Sequence, residues 1–175
     1  MWWPAALFSL ISLMGLALDL ATKHYIFAWR GLAEPGGPRE IYWLLEGWFG
    51  IETTTNPGAL FGLGAGYVHF FSAISFVAIG GILFWVIRWR RSLGLLMAVA
   101  LGLVLAGIIG NLYDRLGLWT PPGGGPAIHE VRDWILLEYY GRPWPNFNLA
   151  DTFLVCGAGL LLVQSLRTPR SPEKR

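Results

Sequence analysis

Two aspartates in separate parts of the chain have surroundings suited to acid–base chemistry. Asp133 lies in the segment VRDW, and Asp151 lies in FNLAD, directly ahead of an apolar run. If two carboxyl groups approach closely, like-charge repulsion prevents both from ionising together. One then serves as a base and the other as an acid near neutral pH, which is the equipment for attack of water on a carbonyl group. We predict that Asp133 and Asp151 form such a pair.

Other polar residues occur in short clusters that could support the pair. Pro57 excludes a regular helix around its neighbours, so backbone groups near it are free to bind. Residues three or four apart share a helical face, so two of the clusters each present a polar face. The supporting candidates are Asn56 and Gly58 in NPGALFG, Asn111, Asp114 and Arg115 in NLYDR, Asn148 in FNLAD, and Asp19 and Lys23 in DLATK.

Each cluster also has a purely structural interpretation, and these alternatives stay open. Asn148 is a good N-cap, and an acid at Asp151 in the first turn suits the helix dipole. The remaining alternatives are an intrahelical anchor pair for Asp19 and Lys23, an interfacial ion pair for Asp114 and Arg115, and a capping loop for residues 56–62.

The sequence gives less support for a metal site or for a covalent nucleophile. The three histidines, at positions 24, 69 and 129, are scattered and form no zinc-type spacing. Cys156 is the only cysteine, and no histidine lies in its apolar run to activate it. No glycine-rich phosphate motif is present. We therefore expect neither a metal nor another cofactor.

The elements that must position these residues follow from the distribution of charge. Apolar residues make up 54% of the chain and charged residues 14%, against about 25% charged in a soluble domain. This composition, with a net charge of only +2, excludes disorder and nucleic-acid binding as leading interpretations. About 20 apolar residues are needed for a helix to cross a bilayer. The charge-free runs are 1–18, 53–87, 92–113 and 152–166. The predicted spans are about 4–22, 67–87, 93–113 and 147–166.

Basic residues predict the orientation. Seven of the 13 lie in two short segments: three are in the loop 88–92, and four are in the tail 167–175. Cytoplasmic segments are enriched in lysine and arginine, so we place that loop, that tail and both termini in the cytoplasm. The segments 23–66 and 115–146 then face outward. Tryptophans near the span ends, with none at mid-span, agree with this orientation.

The outer segments predict small surface elements. Residues 39–56 alternate aromatic, β-branched and polar side chains, which favours short strands with a turn. Residues 117–126 are rich in Pro and Gly and predict a loop. We expect a short surface helix around Val131 to Tyr140. The predicted fold is an all-α integral membrane protein: a single membrane domain over 1–175, with a four-transmembrane-helix bundle, a small outward-facing β element and that helix.

The clusters together resemble the sequence boxes of lipoprotein signal peptidase, also called signal peptidase II. In order along the chain they read DLATK, TTTNPGALFGL, GNLYDRL, VRDW and FNLADTF. The resemblance runs from Asp19 to about Gly157. Trp134 stands where the family usually has Phe, Leu60 stands where a smaller residue is commoner, and 117–126 lengthens the gap between two boxes.

The resemblance implies an aspartyl endopeptidase of the bacterial cytoplasmic (inner) membrane, with its active site at the outer face. Such enzymes remove the signal peptide of prolipoproteins by cutting before a diacylglyceryl-modified cysteine. The family's catalytic aspartates fall on Asp133 and Asp151, and the other clusters fall around the site. The implied partners are these prolipoproteins and membrane lipid, without nucleic acid, and we expect a monomer.

A transporter or channel subunit is the alternative from another class. It would use Asp19, Lys23, Asp114 and Asp151 as a polar pathway. Polar residues at mid-depth would favour it, whereas here they cluster at one end of the spans and the span centres are apolar.

Overall fold

The computed structural model of the chain describes residues 3–33, 37–58, 66–121 and 123–167. Four long helices dominate it: α1 (Trp3–Arg30), α2 (Val68–Trp89), α3 (Leu95–Arg115) and α4 (Leu149–Arg167). Each contains a window with a mean hydropathy of 1.7 to 2.4 and is long enough to cross a membrane. The prediction of four helices able to span the membrane is therefore confirmed.

The first helix is longer than predicted. We expected it to end near residue 22, but it continues to Arg30, because no Gly or Pro interrupts the chain between that point and residue 31. Gly31 then adopts a φ of 75° and donates its N–H to the carbonyl of Phe27 at 2.9 Å, which is a common helix ending. As a result, Lys23 lies within the same helix as Asp19 and one turn from it.

Helix α3 forms the centre of the bundle. Half of its most apolar window is buried, against 11% for α2 and α4. Its glycines allow close approach of the neighbouring helices. A Cβ added to Gly102 would lie 3.1 Å from the carbonyl of Phe8 in α1, and one added to Gly107 would collide with the carbonyl of Ala150 in α4. Such small residues allow close helix packing within a membrane.

A four-stranded antiparallel sheet lies beside the bundle. Its strands, in spatial order, are β1 (Tyr42–Leu45), β2 (Phe49–Asn56), β3 (Val131–Tyr139) and β4 (Arg142–Pro143). A turn at Gly47, with a φ of 72°, joins β1 to β2. The prediction of short strands and a turn within 39–56 is confirmed.

Two parts of the predicted fold class are wrong. Residues 131–139 form the strand β3 rather than a short surface helix, and the molecule is therefore not purely all-α. The segment pairs with β2, placing Asp133 opposite Thr54. Helix and sheet neighbours cover both faces of its first part, so Val131 to Leu136 are nearly all buried. A strand buried on both faces lacks the alternation by which strands are recognised.

The Pro/Gly segment is a loop, as predicted. Its described residues, 117–121 and 123–126, include no helix or strand, and four of its glycines adopt positive φ values. Leu60 and the rest of 59–65 lie outside the described residues, as does 168–175 in the predicted cytoplasmic tail.

Candidate active site

Asp133 and Asp151 meet where β3, α3 and α4 converge, and two asparagines connect them. The side-chain amide of Asn148 donates to Asp133 Oδ1 at 2.7 Å, while its backbone N–H donates to Asp151 Oδ2 at 3.2 Å. The amide of Asn111 donates to Asp151 Oδ1 at 2.8 Å. We call Asp133 and Asp151 the carboxylate pair. The predicted juxtaposition of these two residues is present.

Local structure holds each member of the pair in place. Asp133 lies on β3 opposite Thr54, and Asp151 lies in the first turn of α4. Asn148 immediately precedes α4, and its Oδ1 accepts the backbone N–H of Asp151 at 3.0 Å. With the return bond from the Asn148 N–H to the Asp151 carboxylate, this is a reciprocal capping arrangement. The N-cap interpretation of Asn148 is therefore correct, and the same residue also contacts the pair.

Burial changes the acidity of Asp133. Its side chain lies on the sheet, outside the helical spans, and only 2% of the residue is exposed. Desolvation, followed by the nearby charge of Asp151, raises the pKa of Asp133 to about 7. Hydrogen bonds from Asn148 and Asn56 and the charge of Lys23 oppose this shift. Because this pKa is close to neutral pH, Asp133 can exchange a proton there.

Asn56, Gly58 and Arg115 form one wall of the site. Asn56 Oδ1 accepts the Gly58 N–H at 3.0 Å, which shapes the turn after β2. Arg115 donates to the Gly58 carbonyl at 3.2 Å and lies 5.7 Å from the centre of the Phe71 ring. Its guanidinium thus links the end of α3 to the turn after β2 and the start of α2.

A second group of charges lies beside the pair. Lys23 Nζ lies 2.9 Å from Asp19 Oδ2 and 3.0 Å from Asp114 Oδ2, and all three side chains are fully buried. Arg132 contacts Asp114 Oδ1 through Nε at 2.9 Å and through a terminal nitrogen at 2.7 Å. We call these four residues the buried ion cluster. Asp19 also accepts the N–H of Ala150 at 3.0 Å, which connects α1 to the start of α4.

This cluster decides two of the structural alternatives. The intrahelical pair of Asp19 and Lys23 exists, but it is buried between helices rather than exposed as an anchor. The pairing of Asp114 with Arg115 is wrong, because the partners of Asp114 are Lys23 and Arg132. Consecutive helical residues do not face each other, so Arg115 points elsewhere.

Sequence reasoning missed Arg132 and Asn146 as neighbours of the site. Asn146 donates to the carbonyl and Oε2 of Glu52, and Glu52 in turn binds Arg39. A strand assignment for 131–139 would have placed Arg132 on the face opposite Asp133. No local signal identifies Asn146, because its partner lies on a distant strand.

Two cavities reach the carboxylate pair. An apolar cavity of about 340 Å³ is lined by Asp151 together with Val131, Phe147, Val155 and others. A second cleft, of about 410 Å³, is lined by Asp133 together with Glu52, Thr54, Asn146 and others, and we call it the polar cleft because more of its lining side chains are polar or charged. Four residues line both cavities, namely Asn56, Trp144, Pro145 and Asn146. The pair therefore lies between an apolar and a polar compartment.

Among the described residues, no group of three or more His, Cys, Asp or Glu side chains is arranged to hold a metal ion. The arrangement instead consists of two carboxyl groups with neutral amide donors. Four membrane-length helices and this pair define a multi-span membrane protein in which two carboxyl groups are joined by asparagine hydrogen bonds.

Comparison with known proteins assigns the family. The profile of Signal peptidase (SPase) II matches residues 11–167. A lipoprotein signal peptidase of Rhodopirellula baltica is 48% identical over 170 residues, covering 96% of this chain and 75% of that protein. One of Bacillus subtilis is 32% identical over 160 residues, covering 91% and 93%. The chain therefore belongs to the signal peptidase II family.

A solved structure agrees with this assignment. It is that of a bacterial membrane enzyme, 25% identical to this chain, with a TM-score of 0.74 over 95% of this chain and 92% of the other. The chain is thus a bacterial membrane peptidase of this family. These matches give the transporter or channel alternative no support.

Proposed function

We propose that this peptidase removes the signal peptide from diacylglyceryl-modified prolipoproteins by cutting before the lipid-modified cysteine, with Asp133 and Asp151 activating water. One observation carries the proposal: Asn148 contacts both carboxyl groups, so the two acids act from one hydrogen-bonded unit. The membership of the signal peptidase II family and the names of its relatives support the substrate class.

The surroundings of the two acids suggest different roles. Asp151 accepts two hydrogen bonds, from Asn111 and from the backbone of Asn148, which fix the position of its carboxyl group. Burial favours the neutral form of Asp133, whose pKa is raised to about 7. In our mechanism Asp151 takes a proton from water as the water attacks the scissile carbonyl. Asp133, in its neutral form, hydrogen-bonds the carbonyl oxygen and then gives its proton to the leaving nitrogen as the C–N bond breaks. The proton that Asp151 took from water then passes back to Asp133, which restores both groups.

The two cavities suggest how the substrate lies. The apolar cavity beside Asp151 suits the apolar signal peptide and the first part of the diacylglyceryl chains, which continue into lipid. The polar cleft beside Asp133 suits the start of the mature lipoprotein, whose backbone needs hydrogen-bond partners. The scissile bond then lies between the two compartments, next to both acids.

The orientation is part of the same proposal. Arg88, Arg90 and Arg91 lie between α2 and α3 or at the adjoining end of α2, at the bundle end opposite the carboxylate pair. The positive-inside rule puts that end in the cytoplasm and the pair at the outer face of the cytoplasmic membrane. Both termini are then cytoplasmic. The whole chain acts as one membrane domain and as a monomer in this proposal.

Cleavage of a diacylglyceryl-modified prolipoprotein in detergent tests the catalytic assignment. We expect Asp133→Asn and Asp151→Asn each to lower kcat by at least about 1,000-fold, because each removes a proton-transfer group. The matched control is Glu138→Gln, which removes a carboxylate from the same strand, β3, and should keep wild-type activity. Thermal unfolding of every variant shows that the protein still folds.

Full activity of either Asp variant would refute the carboxylate pair as the catalytic unit. Equal cleavage of the unmodified precursor would refute the requirement for the diacylglyceryl group while leaving the pair intact. Trapping of an acyl-enzyme would refute direct attack by water.

A further inference from the structure

Lys23 is fully buried, and oxygen atoms of four residues surround its ammonium group. Besides the carboxylates of Asp19 and Asp114, Nζ donates to the side-chain oxygen of Asn111 at 3.1 Å. Nζ also donates to the Gly110 carbonyl, at 3.5 Å. Lys23 therefore connects the buried ion cluster to a residue that contacts the carboxylate pair.

The contact with Lys23 determines which way the Asn111 amide faces. Asn111 Oδ1 accepts from Lys23 and also from the Asn148 amide at 3.1 Å. Its NH₂ group therefore faces Asp151, to which it donates at 2.8 Å. A half-turn of the amide would place NH₂ against two donors and an oxygen against a carboxylate. All three contacts would become repulsive.

The same constraint passes on to Asn148. Its NH₂ group uses one hydrogen for Asn111 Oδ1 and the other for Asp133 Oδ1. Its own Oδ1 accepts the backbone N–H of Asp151. Each carboxyl group of the pair thus receives an amide donor whose direction is determined by a chain that begins at Lys23.

We propose that Lys23 is a positioning residue for the reaction: by holding Asn111 Oδ1 it orients the Asn111 and Asn148 amides, so that both acids receive a donor. This inference rests on the proposed function of Asp133 and Asp151. Lys23 itself is 0% exposed and lines neither of the two cavities that reach the pair. Its removal should therefore change kcat rather than KM.

Charge-balanced variants separate this role from simple stability. Lys23→Met combined with Asp19→Asn removes one cation and one anion, while the amide introduced at position 19 keeps an oxygen for the Ala150 N–H. Lys23→Gln with Asp19→Asn has the same net charge but restores an N–H donor toward Asn111. We expect the Met variant to lose about 100-fold in kcat, because small misplacements of catalytic groups have effects of that size. The Gln variant should recover about 10-fold of that loss.

Thermal unfolding and KM accompany both measurements. Equal kcat in the Met and Gln variants, or a kcat close to wild type in the Met variant, would overturn the proposal. A loss that appears only in KM would overturn it too, since that indicates a substrate contact. Failure of the proposed function is a different result, namely full activity of Asp133→Asn whatever the Lys23 variants do.

A double-mutant cycle tests whether Lys23 acts through Asn111. If it does, adding the Lys23→Met and Asp19→Asn changes to Asn111→Ala should lower kcat by less than about threefold further, because coupled residues are not additive. The unfolding temperature should still fall in both backgrounds. A further loss of about 100-fold in the Asn111→Ala background would show that Lys23 acts independently of Asn111 and would overturn the proposal.

Discussion

The buried ion cluster and the carboxylate pair lie side by side but use charge in opposite ways. The cluster joins two acids to two bases, and its Lys23, Asp19 and Asp114 side chains are wholly inaccessible. The pair brings two acids together with neutral amide donors, and each acid lines a cavity. Four acids therefore lie at one end of the bundle: two are paired with basic residues, and two have neutral amide neighbours.

The two groups differ in whether an opposite charge lies beside each carboxylate. In the cluster each charged group has an oppositely charged group within 3.0 Å, and these ion pairs join α1, α3 and β3. In the pair, the nearest neighbours are asparagines, which donate hydrogen bonds without neutralising charge. Because the pKa of Asp133 is about 7, the protonation of this group can change near neutral pH. Asn111 and Asn148 lie between the buried ion cluster and the carboxylate pair.

Breaking the cluster should have the largest effect on stability. Asp114→Asn leaves Lys23 and Arg132 with one carboxylate, that of Asp19, so we expect a loss of about 3–5 kcal/mol in the free energy of unfolding. Thermal unfolding in detergent measures it. The control is Glu46→Gln, an exposed acid in the turn after β1, which should change little. An unfolding temperature for Asp114→Asn within about 2 °C of wild type would contradict the role of the cluster.

Removing the Asp133 carboxyl group should increase the free energy of unfolding, by an amount that depends on pH. The folded pKa of about 7 lies above the ordinary value of 3.8, so between these pH values the unfolded chain ionises more readily than the folded protein. The stability contributed by the neutral group is complete below about pH 3.8 and is lost as the pH rises toward 7. Asp133→Asn should therefore exceed wild type in stability above pH 7, by on the order of a few kcal/mol, and match it near pH 4.

Unfolding temperatures measured from pH 4 to pH 8 check this expectation. The diagnostic quantity is the difference between the variant and the wild type at each pH, which cancels the titration of all other groups. A difference that does not grow with pH, or that favours the wild type at pH 8, would mean that Asp133 is compensated like the acids of the cluster.

The parts of the molecule that sequence reasoning predicted are those determined by local composition. The four helices follow from long charge-free runs, because any such run must avoid water. The strands of 39–56 follow from alternation within one short segment. The position of Asp151 in a first turn follows from Asn148 three residues earlier. None of these inferences needs a residue from elsewhere in the chain.

The parts it missed depend on partners far away in the chain. Strand β3 is recognisable from its pairing with β2, where Thr54 lies opposite Asp133, 79 positions later. The alternative that pairs Asp114 with its neighbour Arg115 is wrong, because the partners of Asp114 lie at positions 23 and 132. The amide directions of Asn111 and Asn148 depend on several such contacts together. Long-range pairing, rather than propensity, decides all of these features.

The ion pair of Glu52 and Arg39 is partly exposed, and its removal should have the smallest effect on stability of the changes considered. Glu52 accepts two hydrogen bonds from Arg39, at 2.6 and 2.7 Å, and these bonds hold the pKa of Glu52 below its ordinary value. Stability from this pair is present above the ordinary pKa of 4.5 and is lost as the pH falls through the lowered folded value. The Arg39 side chain is 45% exposed, so solvent weakens the pair. Glu52→Gln should cost at most about 1 kcal/mol at pH 7.

Unfolding temperatures at pH 7, with and without added salt, measure this effect, and salt should reduce it further because an exposed partner is screened. The matched comparison is Asp114→Asn, in which the same type of change removes a fully buried acid whose loss salt should hardly alter. Equal destabilisation by Glu52→Gln and Asp114→Asn would contradict the idea that burial of both partners determines how much an ion pair stabilises this fold. The distinction between the buried ion cluster and the other charges would then have to rest on hydrogen-bond geometry alone.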